Sequence, residues 1–334
     1  MQGYTRTSAL GPIADFVDAR GGSIQRIFGR ADLPLALLDN PDLPLPLSEQ
    51  FKVLTETGRE IGDLLVGASL GPVVRMHKLS AFGAWVSSAP TLAGLIDRSH
   101  RGLNRFLQTA TVLAFRIDGS TARWSIEFLD RGADGRFQNE LLGISYLIDG
   151  VRCFTARSWA PALIRSTCTG MSQAAALEAM FEAPVRHGAA VSAIEFDATL
   201  LSATGRRRTS ALGDVEPPVL AAASKRDEVA ALSVIALLEG HPKIDWVAGK
   251  LGMSRRSLQR ALVFEGASFS MVLDGLLRDR ATTLIASSER RVTDIALQLG
   301  YADAAHFTRA FRRWTGMAPS RFRAARRAAV SQLN

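Results

Sequence analysis

The sequence has only two cysteines among 334 residues, Cys153 and Cys168. Two cysteines are too few for a disulfide framework and lack the spacing of a metal site, which favours buried free thiols over a redox switch. Long apolar runs are also missing, since no stretch approaches the ~18 residues of a membrane span. The N-terminal residues lack the basic-then-apolar pattern of a signal peptide. We therefore expect a cytoplasmic protein with no membrane partner.

Motifs that carry catalysis are scarce. The five histidines are scattered, without the i, i+4 pair of a metal site, and we find no Walker loop or dinucleotide fingerprint. We therefore expect neither a metal nor a cofactor. Residues 67–71 fit the G-x-S-x-G pattern of hydrolases, whose serine (here Ser69) needs a turn between a strand and a helix. The preceding segment has a helical pattern, so we interpret this motif as a turn ending a helix and predict no enzyme activity.

Positive charge is concentrated in the last third of the chain. Residues 225–334 carry the whole net charge of +8, because they contain 18 Lys and Arg but only 10 Asp and Glu. Residues 1–224 are neutral, with 22 Lys and Arg against 22 Asp and Glu. Such asymmetry indicates an anionic partner for one part only. Nucleic acid is the first candidate, because phosphate neutralisation supplies much of its affinity. A membrane surface is the second, but no segment there has the bulky apolar face of an amphipathic anchor.

The first 110 residues have mostly helical periodicity. The apolar spacing in residues 10–20 predicts a helix that ends at Gly21-Gly22. Four prolines in residues 33–48 predict an extended connector, because proline fixes φ and removes a donor. Ser48 is then predicted to cap a helix, and residues 88–108 to contain another.

The pattern changes from Thr111 onward. Residues 111–119 and 121–130 alternate and meet at Gly119-Ser120, which predicts a β-hairpin. Further elements are predicted at 137–154 (helix), 161–167 (strand), 172–181 (helix) and 191–197 (strand). We therefore predict an α+β N-terminal domain whose first part is helical and whose second part is a mixed sheet with helices.

A Ser-, Gly- and Pro-rich stretch separates this domain from the basic region. We predict an N-terminal domain over residues 1–200, a linker over 201–227 and an all-α DNA-binding domain over 228–334. Arg206, Arg207 and Arg208 within the linker either touch DNA phosphates or are simply solvated.

An internal repeat stands out in the basic region, where residues 244–266 align with residues 292–316. In each copy a short helical segment ends at a glycine, Gly252 or Gly300, which takes the positive φ of a turn. This is the local pattern of a helix-turn-helix.

The segment after each glycine completes the pattern. Ser254 and Asp303 are placed to cap a second helix. One helix-turn-helix pattern is a weak signal, but two basic copies joined by a helix over residues 268–287 predict a double DNA-binding module. Its candidate DNA-binding residues are Ser254, Arg255, Arg256, Gln259 and Arg260 in the first copy, and Ala304, Ala305, His306, Arg309, Arg312 and Arg313 in the second.

Residues 228–327 resemble the DNA-binding domain of the AraC/XylS family. The resemblance is carried by Ile295-Ala296, Gly300-Tyr301, Phe307, Arg309, Phe311, Gly316, Pro319 and Arg323. It implies seven helices, with two recognition helices in successive major-groove segments and a central helix that fixes their spacing. It also implies double-stranded promoter DNA and RNA polymerase as partners, with activation as the commoner role.

Residues 10–200 resemble an arabinose-binding-type sensing domain more weakly, through the segments FEAPVRHGAAVSAIEF and SAPTL. This likeness implies a small organic effector and a possible homodimer, although other branches of the family carry a β-barrel sensor. We therefore predict a ligand-responsive DNA-binding transcriptional regulator. The alternative is an enzyme-like small-molecule domain fused to a DNA-binding module.

The two predicted recognition helices differ in what they offer to DNA. Arg256, Gln259 and Arg260 match the family's base-reading positions in the first helix, and such side chains bond guanine and adenine edges. Ala304 and Ala305 offer only apolar contact to a thymine methyl. His306 is either a DNA contact or solvated. The first helix is thus predicted to carry most base readout.

Overall fold

The computed structural model describes residues 3–130, 135–169, 173–205, 215–220, 224–240 and 242–331. The chain divides into two compact units, Met1–Ala221 and Ala222–Asn334. Arg206, Arg207 and Arg208 of the predicted linker, and His241, lie outside the described residues.

Helices dominate the first hundred residues, as the periodicity predicts. They are α1 (Ile13–Asp18), α2 (Ile24–Ala31), α3 (Leu47–Ile61), α4 (Val66–Ser69), α5 (Ser80–Ser87) and α6 (Leu92–Gly102). The hydroxyl of Thr91 caps α6 by accepting a hydrogen bond from the N–H of Gly94. Across the described parts of both units, no helix combines the length and apolar character that crossing a membrane requires.

The predicted cap of α3 is wrong. The helix begins at Leu47, so Ser48 is its second residue rather than its cap. A short antiparallel ladder explains the difference, because β2 (Pro44–Pro46) pairs with β1 (Tyr4–Arg6) immediately before the helix. The N–H of Leu47 continues this ladder by donating to the carbonyl of Gly3 at 2.8 Å.

A five-stranded mixed sheet follows, in the order β3-β4-β7-β5-β6. Its strands are β3 (Thr111–Asp118), β4 (Thr121–Phe128), β5 (Leu163–Arg165), β6 (Val185–Arg186) and β7 (Ser192–Asp197). β3 and β4 form the predicted hairpin, with Gly119 at φ 57° in its turn. Only the β5–β6 pair is parallel among the described strand pairs, so the α+β prediction with a mixed sheet is confirmed.

Two helices accompany this sheet, α7 (Arg136–Arg152) and α8 (Ala174–Phe181). Twelve residues of α7 are buried, and its Leu141 and Ile144 belong to the same apolar core as Trp124 of β4. The core therefore lies between the sheet and the helices of this unit. Cys153 and Cys168 are half-buried and form no disulfide.

Part of the predicted linker is held by the first unit. The carbonyl of Arg105 accepts a hydrogen bond from the N–H of Leu220 at 2.8 Å. The guanidinium of Arg105 also pairs with Glu216 at 3.3 Å, and buried Arg6 donates to the carbonyl of Pro218 at 2.6 Å. Residues 215–220 thus pack as part of the first unit.

The described part of the second unit contains seven helices, the number that the resemblance implies. They are α9 (Lys225–Ala236), α10 (Ile244–Lys250), α11 (Arg255–Phe264), α12 (Phe269–Ser287), α13 (Val292–Gln298), α14 (Ala304–Thr315) and α15 (Pro319–Ser331). α12 is the predicted connecting helix between the two repeats.

Candidate nucleic-acid interface

The first helix-turn-helix consists of α10 and α11. Gly252 lies in the turn with φ 62°, a left-handed conformation that glycine adopts at little cost. The hydroxyl of Ser254 caps α11 by accepting a hydrogen bond from the N–H of Ser257 at 3.1 Å. Leu258 and Leu262 are fully buried on the inner face of α11, which fixes the direction of its outer face.

The outer face of α11 is basic and exposed. Arg256, Gln259 and Arg260 are spaced three and four residues apart, so their side chains leave the helix on one side. None of the three side chains has a hydrogen bond or ion pair with another described residue. Arg255 differs, because its Nη1 lies 3.4 Å from a carboxylate oxygen of Asp245 on α10.

The second helix-turn-helix, α13 and α14, repeats this backbone. Gly300 has φ 78° in the turn, and Asp303 caps α14 by accepting a hydrogen bond from the N–H of His306 at 2.6 Å. This hydrogen bond is the main cause that lowers the pKa of Asp303, and the positive charges of His306 and Arg309 act in the same direction. A negative cap also complements the positive end of the helix dipole.

The inner face of α14 is aromatic, in contrast to that of α11. Phe307 and Phe311 are fully buried, with ring centroids 5.6 Å apart. Phe311 also lies 5.4 Å from Phe322 of α15, and Tyr301 lies 5.5 Å from Phe307 and 6.4 Å from Trp314. The last three of these contacts are edge-to-face, and such contacts add to the energy of apolar burial and hold α14 in its unit.

The outer face of α14 offers fewer polar groups near its start. Ala304 is half-buried, while Ala305 and His306 are exposed. Arg309 and Arg312 continue the face of Ala305 at helical spacing and are exposed too. The first turn of α14 therefore presents methyl groups and one imidazole, and the guanidiniums come later.

Arg313 is engaged within the protein. Its Nη2 donates to both carboxylate oxygens of Asp274 on α12 at 2.8 Å. Asp274 also contributes to the environment of Tyr301, whose pKa is raised to about 12, mainly by burial and further by this carboxylate. Arg313 thus ties α14 to the connecting helix.

Comparison with known proteins identifies the family of this chain. Residues 21–204 match the family described as the arabinose-binding domain of AraC transcription regulators, N-terminal, and residues 247–325 match a helix-turn-helix domain. The chain belongs to the AraC family of transcriptional regulators. The regulator accordingly combines an arabinose-binding-type domain with the double helix-turn-helix.

Relatives of the regulator carry names of the same kind. The ornithine utilization regulator of Pseudomonas aeruginosa is 25% identical, over 96% of this chain and 98% of its own length. The transcriptional activator RhaS of Escherichia coli is 35% identical over 98 residues, which cover 28% of this chain and 35% of that protein. A solved structure of CdpR from Pseudomonas aeruginosa is 25% identical, covering 77% of this chain and 86% of its own, with a TM-score of 0.36.

The last helix of the regulator contributes a structural contact. Arg323 of α15 donates from Nε to the carbonyl of Ile285 at 3.0 Å and from Nη2 to that of Arg290 at 2.7 Å. Carbonyls at a helix end lack partners within the helix, so Arg323 stabilises the end of α12.

Sequence reasoning missed the acidic partners of the basic residues. Asp274 is 39 residues from Arg313, and no local pattern connects the two. Asp245 precedes Arg255 by ten residues but lies on the other helix of its motif. Only the packing of the helices brings these carboxylates to the guanidiniums.

Proposed function

We propose that the regulator reads promoter DNA with α11 and α14 as recognition helices in successive major-groove segments. The observation that carries this proposal is the repeated geometry. Each helix follows a glycine turn, begins at a side-chain cap, buries its i and i+4 apolar residues and exposes guanidinium groups on the opposite face. α12, with 19 residues, separates the two motifs and sets their spacing.

Within α11 we assign base contacts to Arg256, Gln259 and Arg260. Their exposure, their common face and their lack of partners among the described residues support this assignment. Ser254 and Arg255 stand at the N-terminus of the helix, where backbone N–H groups favour a phosphate. These two residues position the helix on the DNA backbone.

Within α14 we assign mainly anchoring contacts. Ala304 and Ala305 offer only methyl groups to a base edge, so His306 and Arg309 are the polar candidates for base contact. Arg312 lies a turn further along and is assigned to phosphate. Arg313 forms an ion pair with Asp274 and so makes the weakest contribution to DNA affinity.

The N-terminal domain, residues 1–200, is assigned to effector binding and dimerisation. Residues 201–227 are assigned to the linker that leads into the DNA-binding domain at 228–334, although residues 215–220 pack on the first unit and residues 225–227 already belong to α9. A ligand that prefers one arrangement of these modules shifts the population towards it and so alters transcription. We propose that the regulator activates transcription through contact with RNA polymerase; the name of the RhaS relative, a transcriptional activator, supports the activating role.

The regulator is proposed not to be an enzyme. Ser69 of the G-x-S-x-G segment is the last residue of the four-residue helix α4, and no strand directly precedes it. A hydrolase nucleophile needs a strand–turn–helix setting, so this observation favours the regulator over the enzyme-like alternative. Steady hydrolysis of ester substrates by the purified protein, abolished by Ser69→Ala, would support the alternative instead.

The salt dependence of DNA binding tests the proposal. With on the order of 6–10 phosphate contacts, affinity for duplex DNA should fall ~10³–10⁵-fold between about 50 and 200 mM salt. Arg101→Ala is the matched control, because it removes an exposed arginine of the first unit that pairs with Asp97. The control should leave the slope unchanged. A flat response in the full-length protein would contradict the proposal.

A further inference from the structure

The first unit contains a partly open cavity that is lined mainly by buried residues. Its volume is about 60 Å³, counted over the positions open to the centre of a water molecule. Helices α3, α6 and α7 and strands β3 and β4 contribute to its wall, which is mainly apolar; six of its residues are Met76, Leu79, Phe82, Leu103, Phe128 and Leu147.

Three residues of the wall carry buried polar atoms without a hydrogen-bond partner among the described residues. They are Oε1 of Gln50, Nε1 of Trp124 and Oδ1 of Asn139, and these residues are 2%, 0% and 2% exposed. The other end of the Gln50 amide is fixed, because its Nε2 donates to the carbonyl of Ala9 at 3.2 Å. The wall thus offers two acceptors and one donor.

Buried polar atoms are nearly always paired, because an unpaired one retains the full cost of its desolvation. Three of them around one cavity indicate that a guest supplies the missing partners. We propose that the first unit binds a small, uncharged, mainly apolar molecule in this cavity. A hydroxyl of that molecule accepts a hydrogen bond from Nε1 of Trp124 and donates one to Oδ1 of Asn139. This inference rests on the proposed sensing role of the N-terminal domain.

The wall also indicates which molecules do not fit. Its described residues include no Asp, Glu, Lys, Arg or His, so a charged ligand would be buried without a counter-charge. A sugar would bury several hydroxyl groups against an apolar wall that has three open polar atoms. The cavity therefore disfavours both a free amino acid and a pentose, although the domain belongs to an arabinose-binding-type family.

Thermal unfolding of the full-length protein with defined probes tests the inference. Phenol and cyclohexanol each combine an apolar ring with one hydroxyl, whereas arabinose and ornithine represent the two excluded classes. Either ring alcohol at about ten times its Kd should raise the unfolding midpoint by roughly 3–6 °C. Neither arabinose nor ornithine should do so at the same concentrations.

Variants place the binding in the cavity. Asn139→Leu replaces one open acceptor by an apolar side chain of similar size, and Leu142→Phe fills space at the wall. Both should abolish most of the phenol shift. The matched control is Ser233→Ala, which removes a fully buried hydroxyl without a described partner from the second unit and should leave the shift intact.

The outcomes separate this inference from the proposed function. If no ring alcohol stabilises the protein while salt-dependent DNA binding persists, the cavity inference is overturned and DNA recognition stands. A shift with arabinose or ornithine alone would overturn the chemical class, as would a full phenol shift in both cavity variants. Stabilisation by phenol that depends on Asn139 but leaves DNA affinity unchanged would support the cavity and contradict the sensing role.

Discussion

The two helix-turn-helix motifs share a backbone and differ in the side chains on both faces. Each has a seven-residue first helix, a glycine with positive φ and a polar cap on the second helix. The inner face of α11 is aliphatic, with Leu258 and Leu262, while that of α14 is aromatic, with Phe307 and Phe311. The common backbone places both recognition helices alike, so the side chains decide what each one does there.

The outer faces differ in the polar groups that they offer to DNA, and here α11 has the larger side chains near its start. α11 presents long polar side chains from its first turn onward, whereas α14 begins with two alanines. We propose accordingly that the first motif reads bases and that the second mainly anchors the protein on DNA. A tandem repeat of one scaffold can divide specificity and affinity between its copies.

The largest expected effect concerns the inner faces. Phe311→Ala leaves a large cavity between Phe307 and Phe322 and should lower the free energy of unfolding by about 3–5 kcal/mol. Leu262→Ala is the matched change in α11 and should cost less, though at least about 2 kcal/mol, because fewer buried atoms are lost. Urea unfolding of both variants measures the difference. If Leu262→Ala lowered the free energy of unfolding as much as Phe311→Ala or more, the aromatic inner face of α14 would not be the more stabilising of the two.

The next effect concerns base reading. Arg256→Ala should weaken binding to the preferred site by about 1–3 kcal/mol and relax the preference at one or two base pairs. Non-specific duplexes should be affected less. Titrations with preferred and scrambled sites measure the ratio of the two affinities, which shows whether Arg256 contributes to specificity. A uniform loss on all sequences would assign Arg256 to phosphate.

The third effect concerns Arg312 and Arg313, two adjacent arginines of α14 that differ in whether they are free to contact DNA phosphates. Arg312→Ala should weaken binding to all DNA sequences about equally and lower the slope of log affinity against log salt by about one. Arg313→Ala should lower the slope less, because this guanidinium already pairs with Asp274. Asp274→Asn serves as the control, since it frees the charge of Arg313 and should make the slope steeper. Identical slopes for the two arginine variants would show that the ion pair does not withhold Arg313 from DNA.

The smallest effect distinguishes the two caps. The cap of α14 titrates and that of α11 does not. Because the folded-state pKa of Asp303 is lowered, its stabilisation is complete above the unfolded value of about 3.9 and is lost as the pH falls through the folded value. The destabilisation caused by Asp303→Ala should therefore shrink at acid pH.

The matched change Ser254→Ala should lower the free energy of unfolding by about 0.5–2 kcal/mol, and this loss should not change with pH. The urea midpoints of both variants and the wild type, followed between about pH 2 and pH 7, provide the test. A pH-independent effect of Asp303→Ala would refute the assigned pKa shift.

Features that depend on neighbouring residues could be predicted from the sequence. The hairpin turn at Gly119, the helix caps at Ser254 and Asp303, and the turn glycines of both motifs are all local signals, and the structure contains each of them. The connecting helix α12 could be predicted for the same reason, because its pattern lies within one segment.

Features that depend on distant residues could not be predicted in this way. Ser48 resembles a cap, but the pairing of β2 with β1 lets α3 begin at Leu47, two residues before the start that a cap at Ser48 implies. The predicted helices do not include α2, which Ser23 caps. The pair of Arg313 with Asp274 and the cavity beside Asn139 arise only when separate elements pack together.

The central claim is that α11 carries most of the base readout, and selection from randomised duplexes tests it most directly. The full-length protein should enrich sequences with a strongly restricted half-site under α11 and a more permissive one under α14. Gln259→Ala should relax the restricted half-site at one or two base pairs and leave the other unchanged. Equal sequence restriction in both half-sites would contradict the division of roles, and with it the assignment of Ala304 and Ala305 as weak base contacts.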